Sequence, residues 1–178
     1  MAGRAIDVAL AYWLTAAVQL TRTFTPEQYA MATESWAWLD LAGKTPIFAS
    51  AFGDIFFRAA DGFWWLDTVE GTLTRPWRTA DELSAALNSA EGKEQYLLRT
   101  LAAEAERAGL IPGPDQVYDF KVTPALGGSI DVSNIGVIDF VVGVNISGQL
   151  HDQVRDLPAG TRITGVTIGD DGQVRVSM

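Results

Sequence analysis

The sequence contains no cysteine among its 178 residues. Disulfide bonds and cysteine-ligated zinc or iron–sulfur sites are therefore excluded, and a reducing compartment such as the cytoplasm is permitted. The chain also has a single histidine, His151, so a metal site built from several histidines cannot form within it. A catalytic Ser-His-Asp arrangement would have to use that one residue. We therefore expect no metal and no cofactor.

Basic residues are few: 13 Lys and Arg stand against 22 Asp and Glu, which gives a formal net charge of −9. Proteins that bind nucleic acid neutralise phosphates with Lys and Arg, so direct binding to nucleic acid is disfavoured. An acidic surface serves either solubility or the attraction of a basic partner. The sequence alone leaves these two uses open.

Long apolar runs are also lacking. The most apolar stretch, residues 5–18, is interrupted by Asp7 and Thr15 and is too short to span a bilayer. No clean cleavage site follows it, which disfavours a signal peptide. Apolar residues at helical spacing within it favour an amphipathic helix packed on the rest of the chain, in a protein of the cytoplasm with no membrane contact.

Apolar and aromatic residues are abundant. Nearly half of the residues are apolar and six are tryptophan, so the chain can bury a sizeable core. We predict one domain over residues 1–178. Pro112-Gly113-Pro114 gives a possible sub-boundary near residues 112–115, but it is too short for a flexible linker and predicts a turn.

Between residues 46 and 76 the apolar pattern has a period of two. Glycine-containing pairs interrupt it at Gly53-Asp54, Asp61-Gly62 and Glu70-Gly71, as in tight hairpin turns. They predict an antiparallel meander of four strands, at about residues 46–52, 55–60, 63–69 and 72–76. Because both faces of this sheet would carry aromatic residues, either helices cover both or one face meets a partner.

Helix signals lie on both sides of the meander. Thr25 with Pro26 and Gln28 forms a helix start and capping box, and the helix would run towards Gly43. Thr79 with Glu82 predicts a second start. A longer helix is expected from residue 92 to 108 and would end at a glycine. With the meander, these helices predict an α+β fold: a mainly antiparallel sheet with helices packed on it.

The stretch from Val117 to Thr161 carries the densest pattern. A short strand at 117–122 precedes the pair Gly127-Gly128, where at least one residue should take a positive φ. The apolar, β-branched run 135–146 predicts a buried strand, in which Asp139 would need a partner such as Lys121 or Arg162. A helix capped by Asn145 or Ser147 would follow, with Leu150, Val154 and Leu157 inward. Residues 161–168 and 173–177 predict a last hairpin.

Four pieces of this sequence carry a family resemblance. Y-D-F-K-V-T-P-A-L-G-G at 118–128 is similar to Y-G-F-K-x-P-P-x-L-G-G, and S-G-Q-L-H-D-Q-V-R-D-L-P-A-G-T at 147–161 to G-Q-I-H-x-Q-x-K-D-L-P-x-G-T. A-F-G-D-I-F-F and L-D-T-V-E-G-T-L-T-R, at 51–57 and 66–75, match further pieces. Together they resemble bacterial type VI secretion immunity proteins, which combine a GAD-like domain with a C-terminal domain formerly of unknown function. Asp119 and Thr123 depart from the usual glycine and proline.

The resemblance covers about residues 51–161 and implies a cytoplasmic protein, not an enzyme, that binds a cognate secreted DNase toxin and holds it inactive. Physically, an acidic surface would meet the toxin's basic DNA-binding cleft, with aromatic anchors setting affinity. The residues we propose for partner binding are Asp131, Asp152, Asp156 and Trp64. Four others, Gly127, Gly128, Gln149 and His151, are expected to serve structure, His151 by orienting the helix start or hydrogen bonding a backbone carbonyl.

Two other classes remain open. One is a small-molecule-binding scaffold whose tryptophans line a pocket. The other is a hydrolase that uses His151 with a nearby aspartate, although the serines around it lie in no Gly-x-Ser-x-Gly elbow.

Overall fold

The computed structural model describes residues 18–158 and 160–178. The helix expected at residues 5–18 lies, apart from its last residue, outside this part. The described residues form nine strands and five α-helices. In chain order these are β1 Thr21–Arg22, α1 Pro26–Thr33, β2 Thr45–Ser50, β3 Ile55–Ala59, β4 Gly62–Asp67, β5 Thr72–Trp77, α2 Ala80–Asn88, α3 Ala90–Leu97, α4 Arg99–Arg107, β6 Gln116–Phe120, β7 Ile135–Asp139, α5 Phe140–Val154, β8 Gly165–Ile168 and β9 Val174–Ser177.

Strands β1 to β5 form one antiparallel sheet in which neighbours in sequence are neighbours in space. The three predicted turns connect β2 to β5, so the meander and the α+β fold are confirmed. Gly62 shows why the turns need glycine: its φ is +137°, and a Cβ there would lie 2.6 Å from the carbonyl oxygen of Trp77. Strands β6–β7 and β8–β9 form two small antiparallel pairs.

Helices cover both faces of the meander. Phe56 and Phe63 belong to a core that includes residues of α2 to α4 and the ring of Phe120. Ile55 and Phe57 belong to a second core, to which α1, the 3-10 turn after it and α5 contribute. Both cores contain residues from either side of 112–115, so apolar packing continues across this turn.

The helix predicted at 92–108 is two helices. Leu98, with φ +46° and ψ +47°, separates α3 from α4. The Glu94 carboxylate accepts hydrogen bonds from the Thr100 hydroxyl at 2.8 Å and the Thr100 N–H at 3.3 Å, which holds the first turn of α4 across the break. The helix after Thr25 also ends early, at Thr33, although its capping box with Gln28 is present.

The prediction of a strand over 135–146 was wrong after residue 139. Asp139 is exposed and ends β7, and its carboxylate accepts from the N–H of Val142 at 3.2 Å as the N-cap of α5. It therefore needs no ion pair with Lys121 or Arg162. Neither Asn145 nor Ser147 caps this helix, because both lie within it, and Leu157 lies beyond its end. The β-branched residues in this run favour a strand, so the helical spacing of its apolar residues was overlooked.

The expected last hairpin is present as β8–β9, and side chains of α5 form hydrogen bonds with the backbone of β9. Gln149 Oε1 accepts from the N–H of Val174 at 2.8 Å, and Gln153 Oε1 from the N–H of Val176 at 3.1 Å. Gln153 Nε2 donates to the Val174 carbonyl at 2.6 Å. Two glutamines one helical turn apart thus satisfy three backbone groups on the edge of β9 that faces away from β8.

Candidate partner-binding site

The glycine pair at 127–128 shapes a loop. Gly127 has φ +86°, as expected for one of the two, and ends a short 3-10 turn. A Cβ on Gly128 would lie 1.7 Å from the carbonyl oxygen of Val122. The Asn134 side chain accepts from the N–H of Val122 at 3.0 Å and donates to the carbonyls of Val122 and Ser129, each at 2.8 Å. These polar groups are therefore occupied inside the loop.

His151 lies in the last turn of α5 and not at the helix start. Its Nε2 is 3.1 Å from the carbonyl oxygen of Thr68, the kind of hydrogen bond expected of it, and the ring is buried. Burial lowers the pKa of His151, while hydrogen bonds to the backbone of Thr68 and Val69 act in the opposite direction. Ser147 donates to the same carbonyl at 2.7 Å, and Asp152 engages Arg155. The serine and histidine thus share an acceptor.

Asp54 is a second buried polar group next to Thr68. Its Oδ1 accepts from the N–H and the hydroxyl of Thr68, each at 2.9 Å, and its Oδ2 from the Ser50 hydroxyl at 2.8 Å. Burial, followed by the charge of Asp67, raises the pKa of Asp54 to about 6 against the lowering effect of these hydrogen bonds. We call Ser50, Asp54, Thr68, Ser147 and His151 the Thr68 cluster.

The Thr68 cluster unites three of the four family-like pieces. Asp54 lies in 51–57, Thr68 in 66–75, and Ser147 with His151 in 147–161. The residues that carry much of the resemblance are therefore used to join the meander to α5.

The three aspartates proposed for the partner do not form one cluster. Asp152 and Asp156 both reach Arg155, at 2.9 and 3.8 Å. Asp131 lies in the loop before β7, and no hydrogen bond or ion pair joins it to the other two. The hydroxyls of Ser129 and Ser133 lower the pKa of Asp131. All three are exposed, but part of the charge of the pair is balanced by Arg155.

Trp64 is less available than proposed. It is half-buried on β4, its Nε1 donates to Asp61 Oδ1 at 2.9 Å, and Lys44 Nζ lies 4.2 Å from the ring centroid. A cation over the ring and an acceptor at its N–H satisfy the features that an aromatic anchor would offer to a partner.

A groove of about 510 Å³ lies between β6, α5 and β8. Its α5 side presents Gly143, Ile146 and Leu150, spaced by three and four residues and therefore on one helical face. We call it the α5–β8 groove. Its other lining residues are Phe52, Thr68, Val69, Val117–Thr123, Leu126, Ile138, Val144, Ser147, Ile163–Val166 and Ile168. No tryptophan among the described residues lines it, so in this part of the chain it does not match the tryptophan-lined pocket considered from the sequence.

Of the residues that the structure describes, two charged ones line the α5–β8 groove. Lys121 donates through Nζ to the carbonyl of Ser133 at 3.0 Å. Asp119 is half-buried, lies opposite Gly136 in the strand pair, and makes no ion pair with any described residue. Burial raises the pKa of Asp119 to about 6, and the backbone N–H of Phe120 lowers it only in part. The groove therefore contains a carboxylate without a cation.

The mouth of the α5–β8 groove is apolar and exposed. The exposed fractions are 51% for Val122, 38% for Val166 and 55% for Ile168. Contiguous exposed apolar residues around a concavity are typical of binding sites. Sequence reasoning missed this groove because the first half of α5, residues 140–146, was taken for part of a strand. The signal was present: Asp139 is a good N-cap, and Gly143, Ile146 and Leu150 follow at helical spacing.

Within the ranges 18–158 and 160–178, no group of three or more His, Asp or Glu side chains could hold a metal ion. In the same part of the chain, no helix is long and apolar enough to cross a membrane.

Comparisons with known proteins bear on the resemblance. Residues 78–151 match the model of a family described as "T6SS immunity protein Tdi1, C-terminal". The match confirms the resemblance to type VI secretion immunity proteins. It covers less than half of the chain, from the end of the meander to His151. No curated protein matches.

Among solved structures, the chain is similar to the crystal structure of Atu4351 from Agrobacterium tumefaciens. The two are 16% identical with a TM-score of 0.49, and the alignment covers 99% of this chain and 90% of the other.

Proposed function

We propose that this protein is an immunity protein that binds a cognate secreted antibacterial nuclease in the cytoplasm and holds it inactive. The observation that carries the proposal is the match of residues 78–151 to a type VI secretion immunity family. Such a protein acts by occupying its partner and needs no catalytic centre of its own.

The physical properties of the chain fit this role. A nuclease that binds DNA presents a basic cleft, and a protein of formal charge −9 is attracted to it. The lone histidine is buried against a backbone carbonyl and is not aligned with a serine. These features favour binding over hydrolysis.

The test is titration of the purified protein against the nuclease encoded beside it, with DNA cleavage as the second readout. We expect a complex below micromolar concentration and protection of DNA. The association rate should fall several-fold between low salt and about 0.15 M, where the screening length is about 8 Å. No complex and no protection at micromolar concentrations would refute the proposal.

Replacing Asp131, Asp152 and Asp156 together by Asn tests the contribution of these exposed charges. We expect association to slow by roughly threefold with little change in dissociation, because exposed charges act mainly on encounter. The decrease should be modest, since Arg155 already balances part of the charge of two of them.

The matched control changes the same number of charges elsewhere. Glu70, Glu91 and Glu106 are exposed and can be replaced together by Gln. An equal slowing in both triple variants would show that only net charge matters. A larger slowing for the aspartates would assign them to the approach side of the partner.

A further inference from the structure

Strand β8 has a backbone edge that no described residue pairs. It hydrogen bonds with β9 alone, and Gly169 N–H donates to the Gln173 carbonyl at 3.0 Å. Because hydrogen-bonded and non-hydrogen-bonded pairs alternate in an antiparallel ladder, the N–H and C=O groups of Val166 and Ile168 point away from β9. Both residues line the α5–β8 groove.

The two edges of this hairpin differ in a way that points to a ligand. On β9 the outward N–H groups of Val174 and Val176 and the Val174 carbonyl are satisfied by Gln149 and Gln153. On β8 the equivalent groups, and the apolar side chains beside them, are open. An exposed edge flanked by apolar side chains is a template for an added strand.

Asp119 places a negative charge in the same groove, and this charge favours an occupant that carries a cation. A carboxylate among apolar walls loses hydration, and the loss is offset when a cation pairs with it. The other charged residue of the lining, Lys121, already donates to the Ser133 carbonyl. An occupant with a Lys or Arg side chain would supply the missing cation, and Arg would do so with two parallel hydrogen bonds.

We propose that the α5–β8 groove binds an extended segment of a protein partner that carries one basic side chain between apolar ones. The basic group pairs with the Asp119 carboxylate. The segment's backbone pairs with the open edge of β8, and its apolar residues pack on Val122, Val166 and Ile168. This inference rests on the proposed function in that the toxin supplies the segment.

The charge of the molecule selects this occupant over a second copy of the chain. Two copies at −9 repel each other, whereas a basic nuclease is attracted. The preference for an extended segment follows from the strand edge, since a helix cannot use open N–H and C=O groups of β8.

The test uses the full chain and the neighbouring nuclease in calorimetric titrations. Asp119→Asn removes the charge and keeps the shape, and Ile168→Glu places a charge on the apolar mouth. We expect each to weaken binding about 10-fold or more, because one partner of a desolvated ion pair or apolar contact is lost. Asp131→Asn, the same change at an exposed site outside the groove, should alter affinity less than twofold.

Hydrogen exchange supplies a readout on the backbone. The amides of Val166 and Ile168 should exchange slowly in the complex and fast in the free protein, while those of β9 change little. Ile168 is more than half exposed, and Asp119→Asn removes a buried charge, so both variants should fold. Thermal melting of each variant checks this.

The outcomes separate the two proposals. If the wild type fails to bind the nuclease, the proposed function fails. If it binds and protects DNA but both groove variants bind equally well and the β8 amides stay unprotected, the groove inference is wrong and the function stands. A dimer of the free chain that Ile168→Glu dissociates would identify the groove as a self-interface and also overturn the inference.

Discussion

Asp54 and Asp119 are two carboxylic acids whose pKa burial raises to about 6, in opposite surroundings. Asp54 accepts three hydrogen bonds inside the Thr68 cluster, where every polar group serves the fold. Asp119 lines the α5–β8 groove without an ion pair. The same departure from the ordinary pKa thus marks a structural centre in one region and an incomplete site in the other.

The difference follows the family pattern. Asp54 lies in the family-like piece 51–57. Asp119 lies in the piece 118–128, where it departs from the glycine of the pattern that the sequence resembles. Residues of the family-like pieces are mostly engaged in internal contacts: Gly128 packs against the backbone of Val122, and the Thr68 cluster joins the meander to α5. The open apolar mouth of the groove, in contrast, includes residues of β8 that lie outside the matched residues 78–151.

The two carboxylates should respond differently to the same substitution. Asp54→Asn should lower the free energy of unfolding by about 3 kcal/mol, because a buried amide N–H₂ would face a hydroxyl with no lone pair to spare. Ser50 Oγ already accepts from the N–H groups of Phe52 and Asp54, each at 3.1 Å. Urea denaturation at neutral pH measures the loss, and Asp119→Asn is the matched control, for which no loss is expected.

Gly127 and Gly128 differ in the space around them: a Cβ would meet other atoms at Gly128 and none at Gly127. Gly128→Ala should destabilise by roughly 2 kcal/mol or more, because its Cβ would collide with the backbone at Val122. Gly127→Ala meets no atom within 4 Å, so only its φ of +86° is strained and the cost should be about 1 kcal/mol. Equal melting temperatures for the two variants would contradict this ranking.

The sequence alone predicted the meander well, because each of its turns is marked by a residue pair that contains glycine and lies between strand-like runs. It predicted the capping box at Thr25 for the same reason. It failed at Leu98 and at residues 140–146, where tertiary packing decides the backbone. A leucine in the left-handed region and a helix rich in β-branched residues both oppose local preference.

The candidate site was harder to predict than the fold. The proposal of Asp152 and Asp156 as partner-binding residues did not foresee that Arg155 balances part of their charge, since sequence spacing does not show which side chains meet. Trp64 was predicted as an anchor. Its ring is covered by Lys44, which lies 20 positions earlier in the sequence, so the contact could not be predicted from local sequence. The α5–β8 groove is lined by residues distant in sequence, from Phe52 to Ile168, and it depends on α5 being a helix.

The pH dependence of Asp119→Asn is the most direct test of an unpaired carboxylate. The folded-state pKa of about 6 exceeds the ordinary value of 3.8, so the fold favours the protonated form. The stability that this group contributes is therefore present below about pH 4 and is lost as pH rises through 6. Relative to wild type, the variant should gain on the order of 1–2 kcal/mol at pH 7.5 and nothing near pH 4. Urea midpoints of both proteins at the two pH values measure the difference, and subtracting wild type from variant cancels the titration of the other carboxylates.

Saturation with the basic nuclease should abolish or reverse the variant's advantage at pH 7.5, because the partner then supplies the cation. An advantage that persists unchanged in the complex would mean that Asp119 meets no basic group there.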